Sequence, residues 1–443
     1  MVGNIFRRLF DLETGDGKKV SLFVAFVFLS AVVAFSGLAI GDGLFLEYVG
    51  AEGLPLAFLI ISCGLLLFST LTLKALRYRS VQWVYFATYF LGLLFFATAA
   101  LTFTLFQDST SLFPYYFCKV GAMGFMMCTY TSLWSFVDAG FGPQDAKRLY
   151  GILNSAYVIG AASGSGLISL LIETFGARGL LLLISATTLI VFVLARQILK
   201  RYPPLPEQQL TQVNGGEKIQ SFPKMFREII RSRFILFLLS SNILVLLLEI
   251  VTEYNYMASV AEIFSAKASH HLGEATSNEL TQFLGGCRAW VFMGDMLFGI
   301  LIYGRLVRRI GLKNLILIPS MSFVVLFAAW SFHNVLIMAV LGLIAVEGVC
   351  SAIEDSNFNL LMNTVSPRLK ARLRVIVEQF FEPMGMLLTS LILASVQNSK
   401  ILGLIMAIVA LVVVILVRAA YPQVEMQQSE ETKEGARTKE SAA

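Results

Sequence analysis

The sequence predicts an all-α membrane protein with twelve transmembrane helices in two pseudo-symmetric six-helix bundles and both termini in the cytoplasm. Three observations carry this: an apolar composition, twelve apolar stretches of spanning length, and lysine and arginine crowded onto one side. Residues are 57% hydrophobic and 14% charged, with 36 phenylalanines. A soluble domain sits nearer half apolar and a quarter charged.

A helix needs roughly 20 apolar residues to cross the hydrocarbon core of a bilayer. Such stretches run over 20–46, 55–73, 81–105, 112–137, 151–174, 178–199, 233–262, 280–303, 312–331, 333–360, 372–396 and 400–420. The segment 1–19 carries Arg7, Arg8, Lys18 and Lys19 ahead of an apolar run, in the manner of a secretory leader. That run, Val20 to Ile40, is long for a leader and eleven similar segments follow, so it reads as an uncleaved first span in the bundle 20–199. The polar segment 200–231, with Pro203, Pro204, Pro206 and Gly215-Gly216, reads as a flexible cytoplasmic linker. The second bundle occupies 232–420, and the Gln/Glu/Lys-rich tail 421–443 reads as disordered.

With the N-terminus inside, 29 of the 34 Lys and Arg residues fall in cytoplasmic segments. Only Arg178, Lys267 and Lys400 lie outside, while Lys119 and Arg288 lie within spans. This is the positive-inside distribution, and it accounts for the net charge of +5 without any nucleic-acid partner. An internal repeat adds weak support. Pro143 and Arg148 reappear at an offset of 224 as Pro367 and Arg372, which places Asn154 opposite Glu378.

Ionisable residues at membrane depth are costly, so they mark a pathway or a paired structural contact. Span 7 carries Asn242, Glu249, Glu253 and Tyr256, the last three on one helical face, with Asn255 beside them. Span 8 carries Arg288 and Asp295, span 10 carries Glu347, Ser351 and Glu354, and span 11 carries Glu378 and Glu382. The first half holds Asp42, Lys119, Trp134 and Asn154. A carrier needs a polar site near the midplane that two bundles expose in turn.

Lys119 and Arg288 are therefore candidates to hold an anionic substrate, with Glu249, Glu253, Asn255, Asn154 and Trp134 as further binding residues. Asp42, Glu347 and Glu354 are candidates for coupling, because burial raises a carboxyl group toward neutral titration. Glu378 and Glu382, near Arg372, suit salt bridges at an inner gate. Each has a structural alternative: Arg288 paired with Glu249 as a fixed contact, Lys119 snorkelling outward, Trp134 and Asn154 as packing. The glycines 160, 164 and 166, in a run of small residues, need only close helix packing.

No Cys or His cluster of metal-binding spacing exists, nor any Walker, kinase or Gly-x-Ser-x-Gly sequence. An enzyme, a metal and a cofactor are therefore not expected. The expected partners are a small-molecule substrate, membrane lipid, and protons or a counter-substrate, with the chain acting as a monomer.

Two resemblances refine this reading. Gly304-Arg305-Leu-Val-Arg308-Arg309-Ile-Gly311, with Asp295 upstream, resembles the loop signature of the major facilitator superfamily. Gly41-Asp42-Gly-Leu-Phe-Leu, Gly50-Ala-Glu-Gly-Leu-Pro55, Glu253-Tyr-Asn-Tyr and Arg372-Leu-Arg374 with Glu378 and Pro383-Met-Gly385 resemble its ATP/ADP translocase branch of bacteria and plastids. That resemblance implies a nucleotide or another anionic metabolite moved across the bacterial inner membrane by exchange or ion coupling. Gly41 departs from it, since a basic residue is expected before the acid late in span 1, and a phosphate contact is lost with it. The rival readings are a proton-coupled exporter of cationic or amphipathic compounds, and a non-transporting receptor or assembly partner that keeps the fold.

Overall fold

A computed structural model describes residues 16–75, 79–106, 111–141, 143–203, 233–270, 277–315, 317–332, 336–350, 353, 380–396 and 400–418. The tail 421–443 and nearly all of the linker lie outside this set. Among the described residues all regular structure is helical. In order come α1 (Asp16–Tyr48), a 3-10 turn (Ala51–Gly53), α2 (Leu54–Ala75), α3 (Val81–Leu105), α4 (Phe113–Gly140) and α5 (Pro143–Arg201). The second half has α6 (Arg233–His270), α7 (Ser277–Phe298), α8 (Gly304–Leu315), α9 (Leu317–Phe332), α10 (Leu336–Leu343), α11 (Glu382–Ser395) and α12 (Lys400–Arg418). Two π-helical stretches interrupt it, Gly299–Tyr303 and Ile344–Cys350.

Local chemistry sets several boundaries. Pro in the first turn opens α4 and α11 (Pro114 and Pro383), where the missing N–H has no intrahelical role. Ser80 caps α3 by accepting from the Trp83 backbone N–H at 3.4 Å. Spans 5 and 6 are two helices that meet at a kink at Gly176, whose φ of 64° and ψ of 170° fall where side-chain-bearing residues are strained. Gly176→Ala is accordingly expected to cost about 1–3 kcal/mol, read as a lower melting temperature of the purified protein. The same substitution at Gly151, with open space around it and ordinary backbone, is the control.

Seven of the described helices are long and apolar enough to cross a membrane, and the run containing Gly176 supplies two arms. Two shorter apolar helices, Leu317–Ser331 and Glu382–Ser395, accompany them. The basic segment read as a loop between spans 8 and 9 is instead the helix α8, with Arg305 and Arg309 exposed. Its charged residues recur at helical spacing, so one face stays polar while the chain remains wound.

The chain divides into two compact units. The first takes in Met1–Glu207 and also Met257–Met296, so the end of α6 and nearly all of α7 pack with first-half helices. In it α1 is central: 72% of its spanning window is buried, against 39% for α2. It packs mainly against α5 and α4, with α3 against both of those and α2 against α4. Small residues set the α1–α5 approach. A Cβ at Gly164 would lie 2.6 Å from the Val32 carbonyl oxygen, one at Gly160 would overlap the Phe28 carbonyl, and Ser36 donates to the Gly164 carbonyl at 3.0 Å. In the second unit, Gly342 of α10 sits against Thr252 and Trp330, and Gly385 of α11 sits against Leu246.

Candidate functional site

α1 and α4 run antiparallel, and contacts at their two ends define where the site lies. At one end Lys19 donates to the Gly140 carbonyl at 2.7 Å and sits 4.5 Å from the Phe141 ring centroid. A cation there satisfies the free carbonyls of a helix C-terminus. At the other end Tyr48 stacks on Tyr115 at 4.2 Å, and Phe45 meets Tyr116 edge-on at 5.0 Å. Aromatic pairs of this kind suit a membrane–water boundary.

Asp42 lies about 9 Å inside that aromatic rim, at 1.5 Å per residue from Tyr48. Its Oδ1 accepts from Lys119 Nζ at 2.5 Å and its Oδ2 from Arg288 Nη1 at 2.8 Å. All three side chains are almost wholly buried, with relative exposures of 1%, 0% and 5%. One carboxylate thus ties α1 to α4 and to α7. Lys119 does not snorkel; it points into the protein. Arg288 is bonded to Asp42, a contact the sequence reading did not anticipate.

The glycines around Asp42 explain how it reaches both cations. A Cβ at Gly41 would come within 3.3 Å of the Cys118 carbonyl oxygen and of Lys119 Cα. A Cβ at Gly43 would overlap Thr281 of α7. Gly41 therefore admits α4 and Gly43 admits α7. At position 41, where the translocase pattern has a basic residue, any side chain would press on the α4 backbone and Ala122.

α5 and α7 close against each other through equally small residues. Ser169 donates to the Gln282 carbonyl at 2.8 Å, and a Cβ on Gly285 would lie 2.7 Å from the Ser165 carbonyl oxygen. The glycine run in α5 thus serves packing on two sides, α1 through Gly160 and Gly164 and α7 through its neighbours.

Aromatic rings lie deeper along the same helices. Phe35, two turns before Asp42, meets Phe292 edge-on at 4.8 Å and Tyr157 at 5.9 Å. Further along, Tyr157 packs on Tyr130 at 5.5 Å and on Trp134 at 6.2 Å, and Trp134 packs on Tyr150 at 5.5 Å. Asn154 stands between Tyr150 and Tyr157 on that face of α5 and is exposed. The Trp134 indole N–H is buried without a hydrogen-bond partner. Of these residues the sequence pointed only to Trp134 and Asn154. The tyrosines were hidden among the 14 in the chain, and only the spacing of Tyr150 and Tyr157 about Asn154 signalled a shared face.

The remaining candidates are dispersed. Glu249, Glu253 and Asn255 are half-buried along α6. Glu347 is half-buried within the π-helical stretch Ile344–Cys350, a type of distortion that recurs at functional sites. Asp295 is buried in α7, and Glu382 opens α11 half-buried. Glu354, Arg372 and Glu378 lie outside the described residues, as does the side chain of Arg308. Among the described residues no group of His, Cys, Asp or Glu is arranged to hold a metal ion.

No family model and no curated protein matches the sequence. Solved structures do match the fold. The crystal structure of the nucleoside transporter NupG, in a mutant form, superposes with a TM-score of 0.64 at 16% identity, covering 91% of this chain and all of the other. A second NupG structure gives 0.61 at 16% identity, covering 91% and 99%. At that identity the likeness is one of fold. It does not single out the ATP/ADP translocase branch.

Proposed function

We propose that this chain is a secondary transporter that moves a small nucleoside-like metabolite across a bacterial-type plasma membrane by alternating access of two six-helix bundles, with both termini cytoplasmic. The observation that carries the reading is the triad of Asp42, Lys119 and Arg288. It is a buried ionic tie from two first-half helices to a second-half helix, at the end of α1 opposite the basic N-terminal turn. A receptor needs no such breakable bond between its halves, whereas a carrier must make and release one in each cycle. The fold shared with NupG supports the substrate class.

With both cations held by Asp42, an uncharged nucleoside suits this conformation better than a nucleotide. An anionic substrate would have to displace the carboxylate as the tie opens. Glu347 is the proposed coupling carboxylate, since a π-helical turn frees backbone groups beside it. In this scheme Glu249, Glu253 and Asn255 contribute to binding from the second half. Glu354 shares coupling with Glu347, and Arg372, Glu378 and Glu382 form an inner gate with the basic helix α8. The chain works as a monomer.

Reconstitution into liposomes tests the proposal. Uptake of labelled nucleosides, saturable and driven by an inward proton gradient, is expected. Glu347→Gln should abolish the gradient dependence while leaving exchange of substrate across the membrane. Uptake of organic cations with no nucleoside transport would transfer the assignment to proton-coupled export, and transport of neither would favour a receptor or assembly role.

A further inference from the structure

The face formed by Tyr130 and Trp134 of α4 with Tyr150, Asn154 and Tyr157 of α5 has no part in the ionic tie. Its composition is unlike that of a packing surface. Asn154 falls inside the spanning segment Leu149–Arg201 and is exposed there. An amide turned to lipid would lose its hydrogen bonds to water at considerable cost. Asn154 instead lies between Tyr150 and Tyr157, four residues after one and three before the other, and both of those rings turn toward Trp134. Its exposure is therefore on the aromatic side, where water or a polar ligand can reach it. The buried Trp134 N–H, which lacks a partner, belongs to the same cluster.

Resting on the transporter reading above, we infer that this face is the subsite for the planar heterocycle of the substrate, with a nucleobase stacking on the tyrosine and tryptophan rings and Asn154 bonding its edge. The chemistry fits in three ways. Every base has a π face that stacks on aromatic side chains with little sequence preference. A carboxamide presents a donor beside an acceptor, the pattern displayed by base edges. The Trp134–Tyr150 separation of 5.5 Å is too short for a ring to slide between them, so the base lies against the cluster and not within it. The Phe35–Phe292 pair forms the apolar layer between this subsite and the Asp42 tie.

Intrinsic fluorescence provides the direct test, because the chain has only four tryptophans. Nucleosides and free nucleobases should quench the purified protein saturably, ribose should not, and the quench should vanish in Trp134→Phe. In liposomes Asn154→Ala and Trp134→Leu should each raise KM by roughly tenfold. Trp134→Phe should restore most of that loss, which a merely structural tryptophan would not require. Melting temperatures of the variants separate misfolding from lost binding, and exposed Asn154 should tolerate replacement in any case. Nucleoside transport with no quench at Trp134 and an unchanged KM in Asn154→Ala would overturn the subsite and leave the transporter standing. Base-specific quenching in a protein that transports no nucleoside would uphold the subsite while refuting the function.

Discussion

Asp42→Asn is expected to be the most damaging single change in the first unit, costing about 3–5 kcal/mol. The reason is the sharing of one carboxylate by two buried cations, Lys119 and Arg288. Removing the anion leaves Lys119 buried without its carboxylate and takes the same carboxylate from Arg288. Removing either cation leaves Asp42 paired with the other, so Lys119→Met should cost distinctly less than Asp42→Asn. An apolar replacement for one member of a buried pair is punished chiefly for the charge it leaves behind. Melting curves of the purified variants give the order. Cys118 supplies a second readout, being buried, with its backbone carbonyl close to Gly41. In a Cys63→Ser background, which removes an exposed thiol, maleimide labelling of Cys118 should accelerate when Asp42 is neutralised. Equal stability of Asp42→Asn and Lys119→Met, with no change in labelling, would mean that the carboxylate does not hold the helices together.

Leucine at Gly285 and leucine at Gly164 should behave oppositely, although both would drive a side chain into a neighbouring backbone carbonyl. Gly164 lies between α5 and α1, two helices of the same predicted bundle. Leucine there obstructs packing that no step of the proposed cycle relaxes, and little folded protein should be recovered. Gly285 lies between α7 and α5, which belong to different predicted bundles. Leucine there wedges a contact that the proposed cycle must open. That protein should fold, lose the Asp42–Arg288 contact and transport poorly, and its Cys118 should label rapidly as in Asp42→Asn. Circular dichroism, labelling and uptake together read the difference. If Gly285→Leu folded no better than Gly164→Leu, the α5–α7 contact would be a fixed part of the architecture.

The seven long apolar helices were legible because burial in lipid forces nearly every residue of a segment to be apolar, a signal that needs no partner to be read. Lys119, Arg288 and Asp42 stood out for the same reason. Their pairing did not, because it depends on which helices approach closely, and that is decided by Gly41 and Gly43, residues unremarkable in a chain with 34 glycines. Depth along the helices is legible in a sequence; the contact of Arg288 with Asp42 is a matter of lateral arrangement, which one-dimensional spacing does not encode. The helix α8 was read as a loop because hydropathy reports water contact and not winding. The aromatic face escaped notice because rings are the ordinary filling of membrane helices, and only the exposed amide among them sets these apart.

The seam between α5 and α7 is made of groups that have few rotamers to lose: glycine, serine, and a hydroxyl bonded to a main-chain carbonyl. Long side chains that interlock must be frozen each time a surface closes and released each time it parts, at up to about 2 kcal/mol apiece. A seam built from backbone and one-carbon side chains carries almost none of that entropy. In the proposed cycle its closing and opening should then depend weakly on temperature, limited by the ionic tie and not by the reordering of side chains along the seam.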